Sequence, residues 1–146
     1  MKTKYDSLTL KNQLCFPIYL CSKEIIRKYT PILDELDLTY TQYIVMMFLW
    51  EKSDANVKEI SDILLLDSST LTPLLKKLEQ KKYITRTRSS KDERNLIIKI
   101  TDLGKSLEKR ALSIPSQIGK CINLSEEDSI KLYELCYKVL NNIERN

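Results

Sequence analysis

Histidine is absent from the 146 residues. Its absence excludes Ser-His and Cys-His nucleophilic sites and every His-ligated metal centre. Neither a GxGxxG fingerprint nor a P-loop occurs, so the usual cradles for nucleotide phosphates are missing too. Two glycines and four prolines leave little room for the tight turns of an all-β fold, which favours helix. The four cysteines (Cys15, Cys21, Cys121, Cys136) have no CxxC spacing and are too sparse for a secreted disulfide scaffold. The longest apolar run, Ile44–Trp50, is far too short to span a bilayer, and MKTKYDSLTL holds no apolar stretch of signal length. The expectation is a cytoplasmic, non-enzymatic protein with no metal, no cofactor and no membrane partner.

What is present is one domain's length of chain, 30% charged and 42% hydrophobic, enough to bury a core. The net charge of +4 is unevenly spread. Between Lys76 and Arg94 eight basic residues face three acidic ones, so that segment alone carries +5. Such a run is often only a solvated face, and the order of elements around it decides its meaning.

A helical pattern runs from Leu8 to about Thr30, interrupted by Pro17, which removes the bond to the carbonyl of Gln13 and is expected to kink the helix there. Thr39-Tyr40-Thr41-Gln42 has capping-box spacing and opens an apolar helix through Trp50. Asn56-Val57-Lys58-Glu59 starts a short helix, and Asp67 or Ser68 caps the next. In that helix Leu71, Leu74, Leu75 and Leu78 form one apolar stripe, with Pro73 close to the first turn. The period then changes to two. Residues 83–88 and 95–100 read as strands around the polar Ser89–Glu93, a β-hairpin. Thr101 caps a helix from about Asp102 to Ile114, which Pro115 breaks or bends, and Ser125 opens a last amphipathic helix.

A short helix, a turn, a leucine-striped helix and a basic hairpin follow the order of a winged helix-turn-helix. The expected fold is therefore mainly α with a two-stranded β-wing. Residues about 39–100 form the DNA-binding region with the wing at about 83–100. Residues about 8–36 and 101–146 supply dimerisation helices, since their surplus apolar positions need a partner. Ser68, Ser69, Thr70, Thr72, Lys76 and Lys77 face outward from the second helix, suited to major-groove and phosphate contacts. Arg86, Arg88, Lys91 and Arg94 lie near the hairpin tip, where a minor groove attracts arginine. Asp92, two residues from Arg94, is placed to orient that guanidinium. A two-fold dimer would offer two such helices to a pseudo-palindromic double-stranded operator.

The stretch DSSTLTPLLKKLEQKKYITRTRSSKDERNLIIKITDLGK resembles the MarR family of dimeric winged-helix repressors, and DERNLIIKIT, with Asp92 and Arg94, resembles its wing signature. LKNQLCFPIYLCSKEIIRKY followed by LDLTYTQYIVMMFLWE narrows the resemblance to the branch that senses organic hydroperoxides. The resemblance implies that Cys15 is the peroxide-reactive thiol and that Tyr29 and Tyr40 hydrogen-bond its sulfur, with Phe16 and Tyr19 in the same pocket. It also implies that Cys121 from the partner subunit resolves the oxidised thiol, with a low-molecular-weight thiol as the alternative.

A thiol reacts as its thiolate. Lys11, four residues before Cys15, shares its face if the helix extends that far. Leu14, Phe16 and Ile18 would favour an apolar peroxide, and attack on its O–O bond yields a sulfenic acid. Cys21 is poorly placed to resolve it, roughly 9 Å along a helix and off the same face, and Cys136 reads as core. Two other functions compete: a MarR-type repressor gated by a small ligand in the dimer crevice, and a thiol peroxidase.

Overall fold

The computed structural model describes residues 4–90 and 95–143. Among them are seven α-helices and three strands: α1 (Cys15–Asp34), α2 (Tyr40–Lys52), β1 (Asp54–Asn56), α3 (Val57–Leu64), α4 (Ser68–Gln80), β2 (Ile84–Arg88), β3 (Leu96–Ile100), α5 (Asp102–Ala111), α6 (Ile114–Ile122) and α7 (Glu126–Asn142). Short 3-10 turns at Asp6–Leu8 and Leu10–Asn12 precede α1.

Most helices begin where a side chain can satisfy an orphan backbone donor. Thr39 and Gln42 form the reciprocal capping box of α2, at 3.3 and 3.0 Å. Asn56 caps α3, Asp67 caps α4, Thr101 caps α5 and Ser125 caps α7. With only two glycines in the chain, left-handed backbone at helix ends falls to other residues, among them Leu65 after α3 and Asn123 after α6.

Three local expectations are corrected. The helix at the N-terminus starts only at Cys15, so Pro17 lies in its first turn, where no helical bond exists to be lost. Pro17 therefore starts the helix cleanly, and Lys11 sits in a separate 3-10 turn instead of one helical turn below Cys15. Pro115 does interrupt the helix that Thr101 caps: α5 ends at Ala111 and α6 begins at Ile114, with Pro115 in its first turn. Pro73 falls in the second turn of α4, which leaves the Ser69 carbonyl without its helical donor.

The wing is part of a three-stranded antiparallel sheet in the order β1-β3-β2. Asp54 pairs with Lys99 and Asn56 with Ile97 on one side of β3, while Ile84 pairs with Ile100 and Arg88 with Leu96 on the other. The strand β1 is three residues long, too short to show a period in the sequence.

The core lies where α2, the end of α1, α4 and the sheet meet. The four leucines of the α4 stripe are all buried, each contributing roughly 2 kcal/mol of apolar burial. Leu33, Leu36, Val45, Met46, Leu49, Ile60, Ile84 and Ile98 surround them. From α5 and α6, Leu107, Ile114 and Ile118 close the same core.

The two chain ends behave differently. α1 buries only Leu33, and α7 buries nothing. Cys136, expected in a core, is exposed because α7 buries none of its residues against the rest of the chain. The chain exposes 11,333 Å², where a folded protein of 17.1 kDa exposes roughly 7,800 Å². Large apolar side chains are exposed on both terminal helices, among them Leu20 and Ile26 on α1 and Leu132, Leu135 and Val139 on α7.

Candidate nucleic-acid interface and thiol site

α3, the Leu65–Asp67 turn and α4 form the helix-turn-helix. The leucine stripe holds α4 down, which leaves Ser68, Thr70, Thr72, Lys76 and Lys77 exposed on the opposite side. At the head of α4 the Asp67 carboxylate accepts from the Thr70 amide at 2.9 Å and from the Ser69 hydroxyl. These bonds hold its carboxyl below the ordinary aspartate value, the Ser69 hydroxyl contributing most. Ser69 is thereby committed to the cap.

In the wing, Arg88 is exposed and Arg86 is not free. Nε of Arg86 donates to Oε2 of Glu79 at 2.8 Å, and Nη2 forms an ion pair with the same oxygen at 2.8 Å, across from the last turn of α4. Lys91, Asp92 and Arg94 lie outside the described residues, and the expectation that Asp92 orients Arg94 lies there with them.

Cys15 is the first residue of α1 and is exposed. Phe16 beside it is half-buried and Tyr19 is exposed, as are Leu14 and Ile18. The two expected tyrosines lie elsewhere. Tyr29 and Tyr40 pack at 4.8 Å between ring centroids, Tyr43 joins Tyr29 at 5.9 Å, and Trp50 meets Tyr43 at 6.1 Å. Burial, then the neighbouring Tyr40, pushes the Tyr29 and Tyr43 hydroxyls above the ordinary tyrosine value, so both remain protonated donors at neutral pH. Next to this cluster is a cavity of about 320 Å³ lined by Ile26, Thr30, Asp34, Leu38, Thr39, Tyr40 and Thr41.

Tyr29 is fourteen residues beyond Cys15 on one continuous helix, roughly 21 Å away at 1.5 Å per residue. The structure thus brings Tyr29 and Tyr40 together but does not bring Cys15 to them within one chain. Cys21 is on α1 as well, roughly 9 Å along the axis from Cys15 and beyond disulfide reach. Cys121 occupies the last turn of α6 and is exposed. Among the described residues no group of metal-binding side chains converges.

The family described as transcriptional regulator SarA/Rot matches residues 27–110. The organic hydroperoxide resistance transcriptional regulator of Bacillus subtilis (strain 168) is 41% identical over 145 residues, 99% of each chain. The chain belongs to the MarR family of transcriptional regulators. Within it, the regulator SarZ of Staphylococcus aureus (strain USA300) is 49% identical over 120 residues, 82% of this chain and 81% of its own. Among solved structures, reduced AbfR bound to DNA is similar at 34% identity and a TM-score of 0.78, covering 95% of this chain and 97% of AbfR. A crystal structure of AbfR of Staphylococcus epidermidis gives 35% identity and a TM-score of 0.75, over 96% and 97%. Disulfide-formed AbfR gives a TM-score of 0.65 at 33% identity, over 94% and 96%.

Sequence reasoning missed several residues that shape this MarR-family site. Glu79 reads as an ordinary acidic residue, yet it holds Arg86. Lys81 donates to the Asp37 carbonyl, pairs with the Asp37 carboxylate at 3.0 Å and reaches Oε1 of the buried Gln42. The Tyr83 hydroxyl donates to the Leu36 carbonyl at 3.2 Å, and Arg110 donates to the Glu35 carbonyl. The α1–α2 loop is therefore pinned from α4's end, the start of the wing and α5. For Arg86 a signal existed. A period of two puts residues 84 and 86 on one face, and Ile84 is core.

Proposed function

We propose that this protein is a cytoplasmic, dimeric DNA-binding repressor that lets go of its operator when an organic hydroperoxide oxidises Cys15. The observation that carries the reading is the separation of Cys15 from Tyr29 and Tyr40. Within one chain the thiol and the tyrosines are four helical turns apart, which supports a pocket completed by a second chain. The surplus of exposed surface supports the same dimer, as do the exposed apolar residues of α7 such as Leu132, Leu135 and Val139. Oxidation then acts at the interface that sets the spacing of the two α4 helices.

Ser68, Thr70, Thr72, Lys76 and Lys77 meet the major groove and its phosphates, while Arg88 and Arg94 approach the minor groove. The Cys15 thiolate attacks the peroxide O–O bond. Its sulfur takes one oxygen as sulfenic acid, and the other oxygen leaves as an alkoxide that takes a proton to become an alcohol. Tyr29 and Tyr40 of the partner subunit donate to the sulfur site. The thiol of Cys121 from the partner subunit then displaces hydroxide from the sulfenic sulfur, which gives a disulfide and water. A covalent bond between α1 of one chain and α6 of the other moves the two helix-turn-helix units out of register, and binding that depends on both half-sites is lost. The likeness to reduced, DNA-bound AbfR, greater than that to disulfide-formed AbfR, supports reading the fold as the DNA-competent form.

The test compares wild type and Cys15→Ser on a duplex selected by the reduced protein from random-sequence DNA, with and without cumene hydroperoxide. Wild type is expected to release and Cys15→Ser to stay bound. Release by Cys15→Ser would instead favour a ligand acting through the 320 Å³ cavity beside Tyr40.

A further inference from the structure

We propose that Arg86 is a positioning residue: with Glu79 it braces the wing against the recognition helix α4 and sets the angle between them, without itself touching DNA. The proposal rests on the DNA-binding reading above and assigns Arg86 a different part in it from the groove contact expected of a wing arginine.

Three observations carry it. First, Nε and Nη2 of Arg86 both point at one oxygen of Glu79 at 2.8 Å, and only 21% of the Arg86 side chain is exposed. Second, the strand geometry aims it there. Ile84 and Arg86 lie on the same face of β2, Ile84 is core, and Arg86 sits opposite the fully buried Ile98 of β3. Thr85 and Thr87, on the other face, are exposed. Third, Arg86 walls a cleft of about 360 Å³ with Val57, Thr72, Leu75 and Leu96, the seam between wing and α4.

β3 is held to the core by Ile98 and Ile100, whereas β2 buries only Ile84 there. Ile84 is one anchor, and Arg86 is a second roughly 7 Å further out, which fixes the direction of the hairpin. The pairing has an electrostatic consequence as well. Glu79 is on the helix that presents Lys76 and Lys77, and an unpaired carboxylate there would repel phosphates. If Arg86 turned to DNA it would leave Glu79 unpaired, so the gain of one contact would be offset by a new repulsion.

The experiment is a charge swap, Glu79→Arg with Arg86→Glu, which preserves net charge. Affinity and groove-by-groove footprints are measured on the duplex selected by the reduced wild type. Arg86→Glu alone is expected to weaken binding by about 10-fold or more, with wing-side protection lost before that of α4. The double swap should recover both. Arg86→Gln, a milder change with circular dichroism as the fold check, should lose wing protection while α4 protection persists. A folded double swap as weak as Arg86→Glu alone overturns the proposal, because Arg86 then meets DNA directly. So does an Arg86→Gln protein with unchanged affinity and footprint. A wild type that selects no duplex sinks the DNA-binding reading, and the brace as a DNA-binding device with it.

Discussion

Replacing Gly104 by alanine should break the joint between the wing and α5. A Cβ at this position would lie 2.2 Å from the Tyr83 carbonyl oxygen and 2.9 Å from Cγ1 of Ile100. An ordinary carbon–oxygen contact is roughly 3.3 Å or more, so α5 and the start of β2 must part by about 1 Å. The Tyr83 carbonyl accepts from the Thr101 amide at 3.0 Å and from its hydroxyl at 3.1 Å, and both bonds stretch with it. Losing them costs about 1 kcal/mol each, and residual overpacking adds about 1–3 kcal/mol. The gain in helix propensity returns at most about 1 kcal/mol. The net loss is about 2–4 kcal/mol, a fall in melting temperature of roughly 10 °C at matched protein concentration.

A second readout is built in. Trp50, the single tryptophan, donates its indole N–H to the Gly104 carbonyl at 2.9 Å, so the same substitution should shift its emission to the red. Gly119→Ala is the control. Nothing lies within 4 Å of that Cβ, which extends from a helix, so stability should rise by about 0.5–1 kcal/mol. Calorimetry and fluorescence of both variants decide the matter. A Gly104→Ala protein that melts within about 2 °C of wild type, with unchanged emission, refutes the close-packing reasoning.

Other outcomes follow from the same geometry. Cys121→Ser should yield no peroxide-induced dimer band on a non-reducing gel, whereas Cys136→Ser should leave that band intact. Lys81→Met should lower stability by about 1 kcal/mol in urea titration, through the lost Asp37 and Gln42 contacts, because the ion pair is partly solvated. Tyr29 and Tyr43 hold their protons more tightly folded than unfolded. Their contribution is complete below the unfolded tyrosine value near 10 and is lost as pH rises through the raised folded values. The melting temperature should therefore fall above about pH 10, less steeply in Tyr29→Phe. Leu132→Asp with Leu135→Asp, on the bare face of α7, should abolish the dimer in analytical ultracentrifugation.

Local signals carried the fold a long way. The capping box at Thr39–Gln42, the caps at Asn56, Asp67 and Thr101 and the Leu71–Leu78 stripe all depend on residues within two turns of each other. Those determinants are visible to anyone reading along the chain. What stayed hidden depends on meetings between distant residues. Glu79 and Arg86 are seven apart but on different elements, Lys81 reaches back 44 residues to Asp37, and Trp50 reaches 54 forward to Gly104. Pro17 shows a different gap: in the sequence it reads as an interruption, and it stands in the first turn of a helix that begins beside it. Cys136 reads as core because an amphipathic pattern marks an apolar face without saying what, if anything, in its own chain covers it. The proposed thiol site can be named in the sequence by residue types, Cys15 with Tyr29 and Tyr40, but not located, since the fourteen-residue gap acquires a length only once α1 is known to be unbroken.

The bare face of α7 also makes abundance an input. In the dimer proposed above, a helix that buries nothing in its own chain gains its apolar stabilisation on meeting a second copy, so folding and pairing share one equilibrium. Dilution then acts like a mild denaturant, and newly made chains are exposed to proteolysis until enough have accumulated. Under such a rule the amount of functional protein rises more steeply than its synthesis. A small change in expression would switch DNA occupancy more sharply than a monomer could, before any oxidant arrives.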